Sequence, residues 1–371
     1  MKVKQYNLAE LCNFVKGTSA TLKTAPGPYP LVVTADFRRS SDSWQIEGPA
    51  VCIPLVSSTG HGDASLHRVH YQEGRFALAN LLVALLPKEQ TICSAKYLYH
   101  LLMTQKDQLL VPLMLGTANV SLKEKDIAGV EVPLPPLADQ QRIVARIEEL
   151  ASQIEEARTL RKQEEQDLRQ MLLSAFWRIA KDAPRDIMGN VAPLVRRPVH
   201  VQAECSYPEL GLRSFGKGTF HKPTLSGLDL GDKRVFSIEP GDLLFSNVFA
   251  WEGAIAIAQP EDVNRIGSHR YMSCVVDPKR ATAPFLCFYF LTQEGLGLIG
   301  SASPGGAGRN RTLGIEALSK ISVPVPPLKD QKWFNALLSE VNALKQLHAE
   351  TAADLDALLP ALLDRAFKGE L

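Results

Sequence analysis

The sequence has no long apolar run. Its longest, Phe76 to Leu86, is interrupted by Asn80 and is too short to cross a bilayer. The opening Met1-Lys-Val-Lys-Gln-Tyr-Asn7 has no apolar signal core, so a cytoplasmic protein without membrane contact is expected. Cysteine is sparse. The six residues, Cys12, Cys52, Cys93, Cys205, Cys274 and Cys287, are scattered with no Cys-x-x-Cys pair. This excludes a zinc ribbon or a dense disulfide framework, and each cysteine reads as a small core residue. Among eight histidines, His67 and His70 lie close in sequence but have no Cys or carboxylate partner at ligand spacing, so no metal site is expected. Excess charge of either sign is also missing. Forty-one basic residues against forty acidic leave +1, which argues against indiscriminate polyanion binding but allows a local basic face.

Catalytic signatures are absent as well. The loop Ser303-Pro-Gly-Gly-Ala-Gly-Arg309-Asn310-Arg311 lacks the spacing and the Lys-Ser/Thr of a phosphate-binding loop. There is no nucleophile elbow, zincin helix or kinase set, no Gly-rich turn placed as a nucleotide-binding fold requires, and no Asn/Asp-Pro-Pro-aromatic motif. The chain reads as a recogniser with no cofactor and no catalytic residue.

What the sequence does contain is a copy of itself. Val132-Pro-Leu-Pro-Pro-Leu-Ala-Asp-Gln140 recurs as Val323-Pro-Val-Pro-Pro-Leu-Lys-Asp-Gln331, an offset of 191. The same offset carries Pro87-Lys88 onto Pro278-Lys279, Asn119 and Leu122 onto Asn310 and Leu313, and Ala175-Phe176 onto Ala366-Phe367. A tandem duplication of about 190 residues follows. Each copy has a mixed globular part (1–136 and 185–327) and a long helix behind the proline motif (137–184 and 328–371). Upstream of Pro87 the two copies hardly align, which suggests two domains doing one kind of job on two targets.

In the first helix Ile143, Ile147, Leu150 and Ile154 form an apolar stripe, Arg161 and Glu164 break it, and Leu168, Met171 and Ala175 resume it. In the second, Phe334, Leu337, Val341 and Leu344 give way to His348 and Thr351, and Leu355, Leu358 and Leu362 resume. This is a heptad seam with a matching polar interruption. Pro135-Pro136 and Pro326-Pro327 fix the helix starts, Asp139 and Asp330 suit the first-turn dipole, and Pro360 is expected to break the second helix. Each stripe has no other partner of equal length, so antiparallel pairing of the two helices is expected. Asp139 to Phe176 would span roughly 57 Å at 1.5 Å per residue, making a ruler between two globular domains. Two helical hairpins in separate cores are the blander alternative.

The globular parts contain strands. Val235 to Ile238 and Leu243 to Ser246 flank a Glu-Pro-Gly-Asp turn, and Ala50 to Val56, Phe76 to Leu86, Gly253 to Gln259 and Tyr271 to Val276 read likewise. Ser94 to Gln108 and Pro284 to Leu296 read as helices at matching positions. The fold class is therefore α+β: two mixed α/β domains joined by two long antiparallel helices in a coiled coil, with a pseudo-twofold repeat. Residues 1–136 carry 13 basic against 11 acidic side chains and 185–327 carry 15 against 13, while 137–184 and 328–371 are net acidic, 8 against 9 and 5 against 7. That polarity suits nucleic acid on the globular parts and protein on the helices. The DNA-contact candidates are Arg38 and Arg39 in a polar loop of the first domain. In the second they are Lys217, His221, Lys222, Lys233, Arg234, His269, Arg270, Arg309, Asn310 and Arg311. Arginine suits guanine and asparagine suits adenine in the major groove.

These residues resemble the specificity subunits of type I restriction–modification systems. The resemblance rests on both proline motifs, on the closing Leu362-Leu-Asp-Arg-Ala-Phe-Lys-Gly-Glu-Leu371, and on Pro240-Gly-Asp-Leu-Leu-Phe-Ser246, which is similar to a recurrent target-recognition segment. The first helix departs from the pattern, ending in Ser174-Ala-Phe-Trp-Arg178. The resemblance implies that each globular part reads half of a split, asymmetric sequence in double-stranded DNA. It implies that the helices set the spacing and dock two DNA methyltransferase subunits, with ATP-dependent restriction subunits as further partners, and that the chemistry belongs to those subunits. A coiled-coil adaptor with no DNA role is the alternative that near-neutral charge leaves open.

Overall fold

The computed structural model describes residues 3–59, 62–117, 119–305 and 311–367. The chain divides into two compact units, residues 1–162 with 348–371, and residues 163–347.

The first unit runs β1 (Lys4–Asn7), α1 (Leu8–Leu11), β2 (Cys12–Lys16), β3 (Tyr29–Val32), β4 (Arg38–Ser41), β5 (Ile46–Glu47), β6 (Ala50–Pro54), β7 (His70–Gln72), β8 (Arg75–Leu78), β9 (Leu82–Pro87), α2 (Ala95–Leu109), α3 (Glu124–Ala128) and β10 (Glu131–Leu134). The chain then enters α4 (Leu137–Ala180). One sheet has the order β2-β9-β6-β7 and a second β4-β3-β8-β5, with β3 and β8 parallel. The apolar stretch from Phe76 splits between the two sheets at a turn closed by Leu82 N donating to Ala79 O at 3.0 Å. β1 pairs with β10 just ahead of α4.

The second unit runs β11 (Arg185–Ile187), α5 (Met188–Val191), β12 (Leu194–Val195), β13 (Pro198–Val199), β14 (Ser206–Leu212), β15 (Thr219–Ser226), α6 (Gly227–Leu230), β16 (Val235–Ile238), β17 (Leu243–Ser246), β18 (Ile255–Ile257), β19 (Arg265–Ser268), β20 (Tyr271–Cys274), α7 (Ala283–Phe290), α8 (Gln293–Ser301), α9 (Ile315–Ser319) and β21 (Ser322–Pro324). α10 (Leu328–Phe367) follows. Its sheets have the orders β12-β20-β17-β18 and β13-β16-β19-β14-β15, with β14 and β19 parallel. Strands β16 and β17, which read as neighbours across a turn, therefore belong to different sheets. The single helix read over Pro284 to Leu296 is two, separated where Thr292 caps α8 through its hydroxyl.

The duplication reaches further than the sequence shows, because the front halves share their strand order too. The pair Val32–Arg38 corresponds to Leu212–Thr219, and Glu47–Arg75 to Ile238–Arg265. Arg38 to Thr219 is an offset of 181, but Glu47 to Ile238 is 191. Ten extra residues in the second copy, carrying α6 and a longer β15, hide the repeat from any comparison at one offset.

In both units the two long helices pack antiparallel. In the first, Arg158 Nη2 reaches Asp356 Oδ1 at 2.7 Å and Arg161 Nη2 reaches Thr351 Oγ1 at 3.1 Å. In the second, Phe176 meets Phe334 edge-on at 5.4 Å and Arg178 lies 4.6 Å over Trp333. Ile143, Ile147, Ile154, Phe334 and Val341 are buried as expected, at about 1.5–3 kcal/mol each. Leu150, Leu168, Leu344, Leu355 and Leu362 are half-buried at the seam's edge. Met171 and Leu358 are exposed instead, and Leu172 and Phe176 face inward between α4 and the globular part. Pro360 does not break α10, which continues to Phe367. The proline removes one N–H, and burial of Leu362, Leu363, Ala366 and Phe367 against the first unit's core offsets that loss. Phe176 enters the second unit's core, while its repeat mate Phe367 packs edge-on against Tyr97 in the first. The end of each helix thus completes the core of the other copy.

Gln140 and Gln331, in the repeated motifs, are fully buried. Gln140 accepts from Ser94 N and donates to Ile92 O and Pro135 O, all at 2.8 Å. Gln331 accepts from Thr282 N at 2.9 Å and donates to Arg280 O at 3.1 Å and Pro326 O at 2.8 Å. Each glutamine joins the start of a long helix to the loop leading into α2 or α7. Of the cysteines, Cys12, Cys52, Cys93 and Cys274 are buried and Cys287 is half-buried, but Cys205 is exposed, contrary to a core reading for all six.

Candidate nucleic-acid interface

The basic candidates of the second unit fall into two groups. Lys233 and Arg234 lie in the turn between α6 and β16, and His269 and Arg270 in the turn between β19 and β20. These turns touch, with His269 N donating to Arg234 O at 3.2 Å. Arg196, which the sequence reading passed over, joins them. Its guanidinium donates to Tyr271 O at 2.8 Å and His269 O at 3.4 Å and lies 4.5 Å over the Phe236 ring. Burial, and then the nearby Arg234 charge, hold it below the usual arginine range. The neighbouring Arg197 is an anchor, gripping buried Asp242 at 2.6 and 3.0 Å.

Further backbone bonds bring two more segments to this edge. Asn247 N donates to Arg270 O at 2.8 Å, and Leu313 N to Asn247 O at 2.7 Å. Arg311, two residues before Leu313, lies 5.2 Å over Trp251. Arg309 and Asn310 lie outside the described residues. The Asn247 side-chain Oδ1 is buried without a hydrogen-bond partner among the described residues. The doublet Arg196-Arg197 before Pro198 was a visible signal. Nothing in sequence marked Asn247.

The second group, Lys217, His221 and Lys222, lies on the β14–β15 hairpin, where Lys222 Nζ sits 6.0 Å from the ring of Tyr271, the residue after the His269-Arg270 turn. His221 Nε2 meets buried Asp262 Oδ1 at 3.0 Å, and Lys222 Nζ donates to Glu209 Oε1 at 2.9 Å. Arg38 and Arg39 are on β4, so the polar loop expected there is a strand. β4 and β15 are corresponding strands, and each is tied to residues beyond its own sheet. Arg38 donates to Gln72 Oε1 at 3.0 Å and Tyr71 O at 3.1 Å and meets His70 Nδ1 at 3.3 Å, which makes it a brace to β7. Arg39 is exposed.

The equivalent turns differ in chemistry. His269-Arg270 in the second unit answers to Ala79-Asn80 in the first at the local offset of 190, and Lys233-Arg234 answers to Asp42-Ser43 at 191. The hairpin loop before β15 also holds Phe215 in a left-handed conformation, φ 62°, which costs about 1–3 kcal/mol for a bulky side chain. Alongside the helices, an open groove of about 910 Å³ is lined by Leu172, Asn335, Leu338, Phe288, Leu291 and the Phe215 loop. Among the described residues no three histidine, cysteine or carboxylate side chains gather as a metal site, and no helix is long and apolar enough to cross a membrane.

Comparisons with known proteins fit this arrangement. Residues 1–164 match the family model of the type I restriction modification DNA specificity domain. Over 100% of this chain and 97% of its own, the HsdS subunit from Thermoanaerobacter tengcongensis has the same fold, with 18% identity and a TM-score of 0.61. A chain from a structure describing complex assembly and conformational transition of the type I R-M system matches over 100% and 98%, with 18% identity and a TM-score of 0.65. No curated protein matches by sequence. The specificity-domain model thus covers residues 1–164, and the fold of the HsdS subunit is shared over the full length of the chain.

Proposed function

We propose that the two globular parts, 1–136 and 185–327, each read one half of a bipartite, asymmetric DNA site. Segments 137–184 and 328–371 then set the spacing between halves and dock methyltransferase subunits, two by the twofold repeat, with ATP-dependent restriction subunits joining outside them. The observation that carries this reading is one scaffold, repeated in strand order apart from the added edge strand β13, with different side chains at its equivalent turns. Scaffolds of the same strand order hold two readers in matching poses, and different turns read different bases. In the second unit Arg196, Arg234, His269, Arg270 and Arg311 form the reading edge, with Lys233 beside them; Arg309 and Asn310, outside the described residues, are contacts proposed from sequence alone. Lys217, His221 and Lys222, with Arg38 and Arg39 in the first unit, serve the β4 and β15 faces.

In this reading the chain acts in the cytoplasm and carries no chemistry of its own. With a net charge of +1 it has few cations to displace counterions from DNA, so tight binding requires the assembled complex. The test is a map of methylated bases in the host genome with and without the gene. Loss of one split, asymmetric motif supports the reading, and an unchanged map in a cell that expresses the complex refutes it.

A further inference from the structure

The chain has fourteen phenylalanines, and two of them are exposed: Phe37 at 55% and Phe215 at 75%. They fall in corresponding loops, at different positions within them. Phe37 ends the loop between β3 and β4, and Phe215 lies in the loop between β14 and β15, so each hairpin tip of the repeat presents one bare ring. Nothing else in these loops is shared, Val33-Thr-Ala-Asp-Phe37 in one and Arg213-Ser-Phe-Gly-Lys-Gly218 in the other. Both rings have cationic neighbours. Exposed Arg39 lies two residues after Phe37, and the loop's one acid, Asp36, is paired with Arg68 at 3.4 Å. Arg213 and Lys217 flank Phe215, the lysine Nζ lying 6.0 Å from the ring centre.

The second loop is held open rather than collapsed. Phe215 N donates to Glu252 O and Gly216 N to Gly253 O, both at 2.8 Å, and Ser214 Oγ reaches Glu252 Oε2 at 3.1 Å. Gly216 and Gly218 take positive φ beside it, yet the left-handed φ of 62° falls on a phenylalanine as well, a position where glycine or asparagine is the ordinary choice. A strained backbone that carries an unburied aromatic ring, fixed by three hydrogen bonds, is poorly explained by stability alone.

We propose that Phe37 and Phe215 are a matched pair of stacking wedges, each set against the bases of one half-site. This rests on the specificity reading above. Every base has a π-face, so stacking tolerates any sequence, and an aromatic wedge can open a base step and bend the duplex. A device indifferent to sequence is one that two domains reading different sequences can share. The cationic flanks favour DNA over an apolar protein partner.

The test uses the full chain assembled with its modification subunits and a duplex carrying the motif lost from the methylation map. 2-Aminopurine is placed in turn along each half-site. Fluorescence is expected to rise on binding at one step per half. Phe37→Leu should abolish the rise in one half only and Phe215→Leu in the other only, each weakening binding about tenfold, while Phe→Tyr at either site restores both. Leucine keeps an apolar anchor but loses the stacking ring. The proposal is overturned if the wild-type complex binds the motif without any rise, if the leucine variants bind and unstack as wild type does, or if they fail to assemble with the modification subunits, which would make the rings protein anchors. Failure of the wild-type complex to bind the motif would instead remove the specificity reading itself.

Discussion

Replacing Gln331 by methionine should cost the second unit a large part of its stability. The side chain is fully buried and joins the α10 start to the loop entering α7. Methionine fills the same volume but strands three backbone groups: Thr282 N, Arg280 O and Pro326 O. Each stranded buried group costs about 1–3 kcal/mol, and water entering the site recovers part, so the expected loss is roughly 3–5 kcal/mol. Against a domain stability of about 5–15 kcal/mol that is readily measured by urea unfolding of the full chain. Gln331→Glu is the sharper comparison. A carboxylate can still accept from Thr282 N but faces two carbonyl oxygens with nothing to donate, so it should destabilise at least as much. Gln140→Met should behave alike in the first unit, since its three bonds are of the same kind. A loss below about 1 kcal/mol, or a glutamate variant more stable than the methionine one, would refute this account of why the two glutamines are buried.

Arg197→Ala leaves the Asp242 carboxylate, 3% exposed, without its bidentate partner, and should cost roughly 3–5 kcal/mol. Arg197→Ala unfolding at the wild-type urea midpoint would contradict that. His70 is held down to about 4, by burial first and then by the Arg38 and Arg68 charges. An unfolded chain takes up that proton near its ordinary 6.5, so stability should fall as pH drops between those two values. The expected loss is about 2 kcal/mol from pH 7.5 to pH 5, and His70→Gln should flatten that slope; an equally steep slope in the variant would exclude His70 as its source. Arg234→Ala and Arg270→Ala should weaken DNA binding by the assembled complex and lower its salt dependence by about one counterion each, with the melting temperature unchanged. Arg38→Ala should lower the melting temperature instead, because that guanidinium braces β4 to β7; a binding loss without destabilisation would return it to the DNA surface.

Much of the architecture was legible because it repeats along the chain. The proline motifs fix both helix starts through a local rule: proline bars helix upstream, and α4 and α10 begin at Leu137 and Leu328. The stripe from Ile143 to Ile154 is a period, and periods survive without tertiary information. Pro360 failed as a helix breaker because a local rule met a non-local force, the burial of Phe367 and its neighbours in the first unit. The front halves escaped notice because ten residues were added in one copy, and strand order is preserved by hydrogen bonding across the sheet rather than by side-chain identity. Met171 was misassigned by one position. The heptad places it on the seam, but α4 must also face a globular part, and Leu172 and Phe176 meet that demand.

The site was less legible. Basic residues can be found in any sequence, but exposure and neighbourhood decide what they do. Arg38 and Arg39 are adjacent, yet one is a brace and the other is exposed. Lys233, Arg234, His269 and Arg270 are scattered in sequence and meet through a backbone bond, and Arg196 and Asn247 join them only because β12, β17 and β20 are neighbours in one sheet.

The sequence by itself determined the duplication, the two long helices and their start points, because each is written in local chemistry or in spacing. Only the tertiary structure decided which side chains share an edge, that each helix end completes the other copy's core, and that two phenylalanines stand bare on matching hairpins. Exposure and adjacency depend on the packing of strands far apart in the chain, and no local pattern encodes them.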